Sequence, residues 1–395
     1  MPVLRSIFAV VRITLSGLPA RWPMALSSVC GIALVVAVLL GFLAMAEGFT
    51  RSLTGAGSQD VAVIVGRGVR SEQMSALSPD AVQQIQAHAA NAGIAWDRTS
   101  VERVRVASAR RADGGTGTIV LRGVTPAAAP FRQNRRTSDG AQPPMPRGQD
   151  VVLGVAAARQ LGVNTAGDTI RLGGQTWRVA AMVESGGTAL ESEAWVAADA
   201  LAAAFPGELH VQSVRLPLAA GEVPAGLRAA LTSDARLSVK IEREDRFFAA
   251  QSAGLAGMLR AFAWPLAIVM GLGALAGALN TMFTSVAART QEIATLRAIG
   301  FGPGGTFLAT FTEALVLALV GAGLGVGLAA LLLGGRSGST LAGGAAEVSF
   351  TYALTPGAIG AAFLFALLVG VLGGAWPALR AARQPILAGL NSDAQ

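Results

Sequence analysis

The sequence predicts an α-helical membrane protein with four transmembrane helices and a large α/β domain outside the cytoplasm. Of its 395 residues, 52% are hydrophobic and only 14% are charged, a balance typical of chains embedded in a membrane. Four apolar runs are each long enough to cross a hydrocarbon core of about 30 Å. Between the first and second runs, residues 50–258 have the composition of a soluble domain, rich in Gly, Pro and polar residues.

The amino-terminal region predicts a cytoplasmic amphipathic segment and then the first span. Residues 1–23 combine arginines with apolar residues in a pattern suited to lie along an anionic membrane face, and residues 24–46 carry no charge. A secretory signal is the alternative, because Ala44-Met45-Ala46 has the small-x-small form of a cleavage site. We favour an uncleaved anchor, because the apolar run exceeds the roughly 7–15 residues of a signal core.

Alternating apolar residues predict β-strands in the outer domain. The predicted strands are 61–65, 101–107, 118–121, 169–172, 177–183 and 211–216, and helical patterns fit 79–90, 155–161 and 197–204. Gly173-Gly174 predicts a tight hairpin turn, and the stretch 127–149, rich in Pro and Arg, predicts a mobile loop. From residue 242 a helix-compatible run continues into the second span, which predicts a stalk that acts as a lever.

Three more spans are predicted after the outer domain. They are 261–288, 307–334 and 356–375, with connections at 289–302 and 335–355 and a tail at 376–395. Arginines in the short flanks place one side in the cytoplasm by the positive-inside rule; they are Arg5, Arg12, Arg21, Arg289, Arg297, Arg380 and Arg383. The outer domain and the 335–355 loop then lie outside the cytoplasm, and an even number of spans agrees with this.

The connection 289–302, which we name the coupling segment, predicts a short amphipathic helix. Ile293, Leu296 and Ile299 recur every three residues with polar residues between them, and Gly300 follows as a stop signal. One interpretation is an ordinary connector anchored at the membrane surface by its arginines. The other is a surface helix that a soluble partner protein binds.

Glycines four residues apart recur in the last three spans, and such pairs let helices approach closely in lipid. The pairs are Gly273/Gly277, Gly321/Gly325, Gly323/Gly327 and Gly370/Gly374. Because four helices are too few for most transport paths, we expect these pairs to support a dimer. Helix packing within one chain is the alternative.

Two polar residues in the predicted spans also need an explanation. A carboxylate at the centre of a membrane helix costs about 2.5–3.5 kcal/mol, so Glu313 is expected near the cytoplasmic end of its span. It could pair with a nearby arginine, cap the coupling segment, or reach the interface as a solvated acid. Asn280 predicts a hydrogen bond between helices.

The sequence contains no motif that indicates an enzyme. There is no G-x-x-x-x-G-K-[ST] phosphate loop, no H-E-x-x-H and no cysteine cluster, so we expect no catalytic, metal or directly bound cofactor site. His88, His210 and Cys30 are expected to be structural or solvated. Glu184, Glu191 and Glu193 are interpreted as a charged loop. The excess of 31 basic over 24 acidic residues is explained by membrane anchoring rather than by nucleic acid.

The sequence Arg-Thr-Gln-Glu-Ile-Ala-Thr-Leu-Arg-Ala-Ile-Gly at 289–300 resembles the FtsX/MacB-type permeases, the type VII ABC transporter superfamily. The order of one span, a large outer domain and three spans is similar, and Trp-Pro-Ala-Leu-Arg-Ala-Ala-Arg-Gln-Pro-Ile at 376–386 looks like the signature after the last span. Segments 151–154, 161–163 and 167–170 resemble the MacB-type periplasmic core domain. The chain departs from fused family members by lacking an ATPase domain.

The resemblance implies that the coupling segment docks on a separate cytoplasmic ABC ATPase subunit, which would bind ATP and Mg²⁺. Glu292, Arg297 and Gly300 lie at the matching motif positions, and Arg289, Ile293 and Leu296 belong to the same segment. Family members work by mechanotransmission, in which ATP-driven movement of the ATPase subunits changes the outer domain.

For this chain the resemblance implies a multi-pass protein of the bacterial cytoplasmic membrane and a homodimer or heterodimer of permeases. A periplasmic adaptor is a further candidate partner. Export and lipoprotein or envelope handling are the expected roles. The alternative function is a regulatory transmembrane scaffold that controls a cell-envelope hydrolase without transport, and an intramembrane enzyme is disfavoured because no catalytic constellation is present.

Overall fold

The computed structural model describes residues 22–110, 116–132, 135–137, 139–207, 210–219, 221–342 and 346–385. It divides into two compact units. The helical unit contains the described residues of Met1–Glu47, Met258–Arg336 and Ala353–Gln395, and the sheet unit contains those of Gly48–Gly257 and Ser337–Tyr352. The predicted amphipathic segment 1–23 lies almost wholly outside the described residues.

The helices of the described residues agree with the predicted pattern and extend it. They are α1 Trp22–Thr54, α2 Pro79–Asn91, α3 Val155–Leu161, α4 Ala198–Ala204, α5 Ala225–Ser233, α6 Glu244–Ala288, α7 Thr290–Ala298, α8 Pro303–Leu333 and α9 Pro356–Arg383. Four of them, α1, α6, α8 and α9, are long and apolar enough to cross a membrane.

Helix ends do not coincide with the ends of the apolar runs. α1 continues eight residues beyond 46, and α9 continues eight residues beyond 375 into the stretch predicted as a tail. The reason is that hydropathy reports the thickness of the hydrocarbon, whereas a helix continues as long as its backbone hydrogen bonds can form. Pro303 and Pro356 each occupy the first turn of a helix, where proline replaces no hydrogen bond.

Small residues form the core of the helical unit. Ala318 and Ala322 of α8, together with Ala362 and Ala366 of α9, are at most 2% exposed. Ile32, Val36, Leu39 and Leu40 of α1 belong to the same cluster, as do Ala263 and Ala267 of α6. Because alanine and glycine side chains are short, the backbones of these helices approach closely, which is the usual packing of helices in a membrane.

Within the described residues, the sheet unit is built on one sheet of ten strands. They are β1 Val61–Gly66, β2 Ser100–Arg110, β3 Thr116–Val124, β4 Arg136–Thr137, β5 Asp150–Gly154, β6 Thr169–Leu172, β7 Gln175–Glu184, β8 Glu193–Ala197, β9 Ser213–Pro217 and β10 Val239–Arg243. Their order is β10-β1-β9-β2-β3-β8-β5-β7-β4, and β6 pairs with β2 and β7. The pairs β3/β8 and β5/β7 are parallel, and the other pairs are antiparallel.

The two largest hydrophobic clusters of the described residues lie against this sheet. One is centred on Trp177, Leu121 and Leu153, and α3 and α4 pack against it. The other contains Ile64, Leu216 and residues of α2 and α5. The predicted hairpin turn is present, because Gly173 and Gly174 join β6 to β7 with φ values of +56° and +77°. Positive φ at both positions matches a type I′ turn and favours glycine.

Several elements of the sheet unit differ from the sequence prediction. β5, β8 and β10 were not predicted; in β8 all five residues are buried, so the apolar and polar alternation of a half-exposed strand is missing. The predicted mobile loop 127–149 instead contains a 3-10 helix, Pro126–Arg132, and the strand β4 within its described part. The predicted loop 335–355 is a hairpin of β11, Ser337–Ala342, and β12, Ala346–Thr351.

Candidate functional site: the coupling segment and two buried ionic contacts

The coupling segment forms the helix α7 and ends as predicted. Gly300 has φ +106°, a left-handed conformation that glycine adopts without strain, and it follows the last turn. Glu292 and Thr295 are exposed, and Ile293 and Leu296 are half-buried. Ile299 was predicted to lie on the same apolar side, but its side chain is 71% exposed, and the buried residue of α7 is Ala294.

Arg289, just before α7, is anchored in the helical unit. Its guanidinium donates to the carboxylate of Glu313 in α8 and, at 3.2 Å, to Oγ of Ser285 in α6. Arg289 is 8% exposed and Glu313 is 3% exposed. Of the three roles expected for Glu313, the structure shows the ion pair with an arginine, which is Arg289. Arg289 was predicted as part of a docking surface, but because its side chain is buried it positions the segment instead.

Arg297, near the end of α7, makes a second anchoring contact. Its Nη1 donates to the backbone carbonyl of Gln384, directly after α9. The coupling segment is therefore held at its start by α8 and at its end by the residues that follow α9. Between these two contacts, the side that carries Glu292 and Thr295 remains at the surface.

The predicted glycine pairs divide into two groups. A Cβ atom on Gly325 would lie 2.5 Å from the carbonyl oxygen of Ala33 in α1, and one on Gly370 would lie 2.5 Å from Cβ of Ala318 in α8. A Cβ on Gly321 would lie 3.0 Å from Cβ of Ile32 in α1, and one on Gly374 would clash with Cβ of Ala314 in α8. These four glycines therefore pack helices within the chain.

The other predicted glycines lie where the chain leaves open space. A Cβ on Gly273, Gly277, Gly323 or Gly327 would meet no atom within 4 Å. Asn280 is exposed, and no hydrogen bond of its side chain occurs within the described residues. For these four glycines a contact with a second copy of the chain remains a prediction, and for Asn280 the hydrogen bond between helices remains a prediction.

The sheet unit contains a group of charged side chains that the sequence did not reveal. We name it the buried ionic cluster; its members are Glu72, Glu102, Arg122, Arg132, Glu193, Arg215 and Glu244. At its centre Arg122 donates from Nε and Nη2 to both oxygens of Glu193, at 2.7 and 2.6 Å. Its Nη1 donates to Glu72 at 2.8 Å and to Glu102 at 2.9 Å. Arg122 therefore links three carboxylates.

Arg215 extends the cluster to the start of α6. Its Nη1 donates to Glu72 at 2.7 Å and to Glu102 at 2.8 Å, and its Nε donates to Glu244 at 2.8 Å. Glu244 is the first residue of α6, and its other oxygen accepts from the backbone N–H of Ser58 at 3.0 Å. The cluster thus connects four strands, β2, β3, β8 and β9, with two 3-10 helices and the first turn of α6.

Glu72, Glu102 and Arg122 have pKa values shifted in the direction that favours their charged forms. Burial raises the pKa of Glu102, but the positive charges of Arg132, Arg215 and Arg122 outweigh it and lower the pKa from 4.5 to about 2. Burial likewise opposes ionisation of Glu72, yet Arg122 and Arg215 hold its pKa well below the usual range. Burial also lowers the pKa of Arg122, whereas Glu193 and Glu72 raise it above its ordinary value. Such fixed charges favour a structural role over proton transfer.

One signal in the sequence could have revealed this cluster. Arg122 and Arg215 each interrupt an apolar strand, and a charge in a buried strand requires an opposite charge nearby. The carboxylates that meet them come from distant segments. Glu193 in particular was interpreted as part of a charged loop, whereas it lies on β8 and is 8% exposed.

The two histidines have different surroundings. Nε2 of His88 on α2 makes a hydrogen bond of 3.0 Å with Asp234, and His210 is exposed. Hydrogen bonds from Arg236 and His88 lower the pKa of Asp234.

Two family models together match most of the chain. The MacB-like periplasmic core domain matches residues 25–234, and the FtsX-like permease C-terminal region matches residues 265–386. The first match alone covers more than half of the 395 residues. No curated protein sequence matches the chain.

Solved structures of outer domains are similar at low identity. The periplasmic region of MacB from Actinobacillus actinomycetemcomitans is 12% identical, with a TM-score of 0.37, and the match covers 48% of this chain and 92% of that chain. The extracellular domain of the ABC-type transporter YknZ from Gram-positive bacteria is 15% identical, with a TM-score of 0.34, over 46% and 99% of the two chains. A permease domain from Porphyromonas gingivalis is 12% identical, with a TM-score of 0.31, over 47% and 87%.

Proposed function

Because the chain belongs to the FtsX/MacB-type family of ABC permeases, we propose that it couples ATP hydrolysis by a separate cytoplasmic ATPase to a conformational change of its outer domain. In this mechanotransmission the ATPase moves the coupling segment, and the spans carry the movement across the membrane. The role served is export or lipoprotein or envelope handling.

The observation that carries this proposal is the way the coupling segment is held. Arg289 is bound to Glu313, Arg297 is bound to the carbonyl of Gln384, and Glu292 lies exposed between them. A partner that pulls on the exposed side would therefore pull on α8 and on the end of α9. With only one of these two contacts, the coupling segment would transmit the force directly to only one of these two helices.

A second feature supports transmission towards the outer domain. α6 is a continuous helix of 45 residues from Glu244, a member of the buried ionic cluster, to Ala288, next to Arg289. A displacement of one end of a helix reaches the other end through its backbone hydrogen bonds, and in α6 the helix continues through Pro265, which removes one of them. We propose that α6 is the stalk through which the movement travels.

We further propose four spans in the bacterial cytoplasmic membrane, with residues 289–302 in the cytoplasm and the sheet unit outside. In this arrangement the chain itself has no ATPase activity, and ATP with Mg²⁺ is bound by the partner subunit. The permease acts as a homodimer or heterodimer, and a periplasmic adaptor is a candidate partner for the sheet unit. No nucleic acid takes part.

The direct test is co-expression with a candidate phosphate-loop ABC ATPase, followed by co-purification and ATPase assays in lipid. Glu292→Arg should abolish stimulation of the ATPase and weaken complex formation, because it reverses a charge on the exposed side of α7. Glu222→Arg is the matched control, since the Glu222 side chain is 68% exposed and lies in the sheet unit. Full stimulation by both Glu292→Arg and Thr295→Arg would contradict the proposal.

A further inference from the structure

A groove of about 650 Å³ lies beside the carboxyl end of α9. We name it the C-terminal groove; its residues are Trp376, Leu379, Arg380, Arg383, Gln384 and Pro385. Trp376 is 68% exposed and Leu379 is 38% exposed, so one wall is apolar and accessible. Tryptophan at the end of a membrane helix is typical of the level of the lipid headgroups.

Two positive charges border the groove. Arg380 and Arg383 lie one turn apart on α9 and are exposed, one turn beyond Trp376 and Leu379. Within the described part of the chain, no carboxylate forms an ion pair with either guanidinium. The guanidinium carbon of Arg380 lies 5.5 Å from the ring centroid of Phe283 in α6, a cation–π contact that fixes its position.

A hydrogen-bond acceptor in the groove also lacks a partner. The side-chain oxygen Oε1 of Gln384 is buried and accepts no hydrogen bond from the described residues. The backbone carbonyl of the same residue is already occupied by Arg297. A buried acceptor without a donor is unfavourable by about 1–3 kcal/mol, so a ligand that brings a hydroxyl group would stabilise this position.

We propose that the C-terminal groove binds the headgroup of an anionic glycerophospholipid. The phosphate lies against Arg380 and Arg383, a headgroup hydroxyl donates to Gln384, and the acyl chains lie along Trp376 and Leu379. The apolar wall next to the charges favours a lipid over a free phosphate, because only the lipid covers both. Basic pockets at the ends of membrane helices are a common form of lipid recognition.

This inference requires insertion in a membrane but not the proposed coupling to an ATPase. The lipid would hold the end of α9, and with it the carbonyl that anchors Arg297, at a fixed depth. Loss of the lipid is therefore expected to loosen the attachment of the coupling segment.

The test measures binding of phosphatidylglycerol to the purified full chain in detergent, by native mass spectrometry and by thermal shift, with phosphatidylcholine as the neutral comparison. The wild-type chain should retain phosphatidylglycerol in preference to phosphatidylcholine. The double substitution Arg380→Gln/Arg383→Gln should weaken phosphatidylglycerol binding about 30-fold, because each arginine near the membrane surface contributes about 1 kcal/mol to the attraction of an anionic lipid. The control is Arg336→Gln, which removes an exposed arginine that follows the carboxyl end of α8 and is not part of the C-terminal groove. It should leave phosphatidylglycerol binding unchanged.

Because Arg336, Arg380 and Arg383 are all exposed, their glutamine variants should fold. Trp376→Ala is a second probe: it removes no charge, and it should also weaken phosphatidylglycerol binding. Equal retention of both lipids by the wild-type chain, or unchanged phosphatidylglycerol binding by the double variant, would overturn the inference. So would full displacement of the lipid by millimolar inorganic phosphate, which would indicate a simple anion site. Loss of the ATPase partner or of the dimer in the double variant, with lipid binding intact, would assign the groove to a protein partner instead.

Discussion

Arg122 on β3 and Glu193 on β8 form a bidentate ion pair inside the sheet unit, with nitrogen to oxygen distances of 2.7 and 2.6 Å. The two strands are parallel neighbours, and both residues are less than 10% exposed. A guanidinium and a carboxylate that meet in this way satisfy two hydrogen bonds in one plane, which fixes their relative orientation. Because Arg122 also binds Glu72 and Glu102, the pair connects strands on both sides of β3.

We predict that Arg122→Met strongly destabilises the sheet unit. It leaves Glu72, Glu102 and Glu193 buried with too few positive charges, and breaking a buried ion pair in this way costs about 3–5 kcal/mol. The expected fall in Tm, measured by thermal unfolding of the purified chain, is on the order of 10 °C.

Arg178→Met is the control. The ion pair of Arg178 with Asp150 is on the surface, where the Arg178 side chain is 66% exposed. Such a pair should contribute only about 0–1 kcal/mol to stability. Equal effects of the two substitutions would refute a special role for the cluster.

The stability of the sheet unit should also depend on acid pH. The pKa of Glu102 is about 2 in the folded protein, against 4.5 for an unperturbed glutamate. A carboxylate whose pKa is lowered by folding contributes stability that is fully present above the unfolded pKa and is lost as the pH falls towards the folded pKa. Tm should therefore be nearly constant above about pH 5 and fall between about pH 4.5 and pH 2.

Glu102→Gln separates this effect from general acid unfolding. The variant has no carboxylate to protonate at this position, so its Tm should be lower at pH 7 but should fall less steeply below pH 4.5. Near-ultraviolet circular dichroism follows the transition through Trp177 and Trp195, which are at most 2% exposed. Parallel curves for the variant and the wild-type chain would show that Glu102 does not contribute to the acid transition.

We predict that two glycines of α8, only two residues apart, respond differently to the same substitution. Gly325→Leu should disrupt packing and reduce the yield of folded protein, because even its Cβ would lie 2.5 Å from the carbonyl oxygen of Ala33 and 2.7 Å from Cβ of Val36. Gly323→Leu should leave the monomer folded, since no atom lies within 4 Å of the new Cβ. Size-exclusion chromatography in detergent would measure both outcomes. If Gly323→Leu keeps the fold but loses a dimer, this face of α8 contacts a second copy; if both variants fold equally well, the described packing of α1 on α8 is wrong.

Local patterns in the sequence predicted much of the fold. The four long apolar helices follow from uninterrupted hydrophobic runs, and the turn at Gly173-Gly174 follows from the positive φ that only glycine adopts without strain. The family was also visible locally, because the motif at 289–300 is a short contiguous segment, and the match to the FtsX-like and MacB-like models confirms it. β8 was missed because a strand buried on both faces has no alternation to detect.

The sequence by itself determined the kind of protein and the position of its coupling segment, because hydrophobicity, helix stops and a contiguous motif are properties of neighbouring residues. Only the tertiary structure decided which charges meet. Arg122 forms an ion pair with Glu193, which is 71 residues away in the sequence, and Arg289 forms one with Glu313, which is 24 residues away. It also decided that Gly325 packs against α1 while Gly323 faces open space. The physical reason is that a buried charge or a close helix contact depends on which distant segment lies opposite, and spacing along one segment carries no information about that.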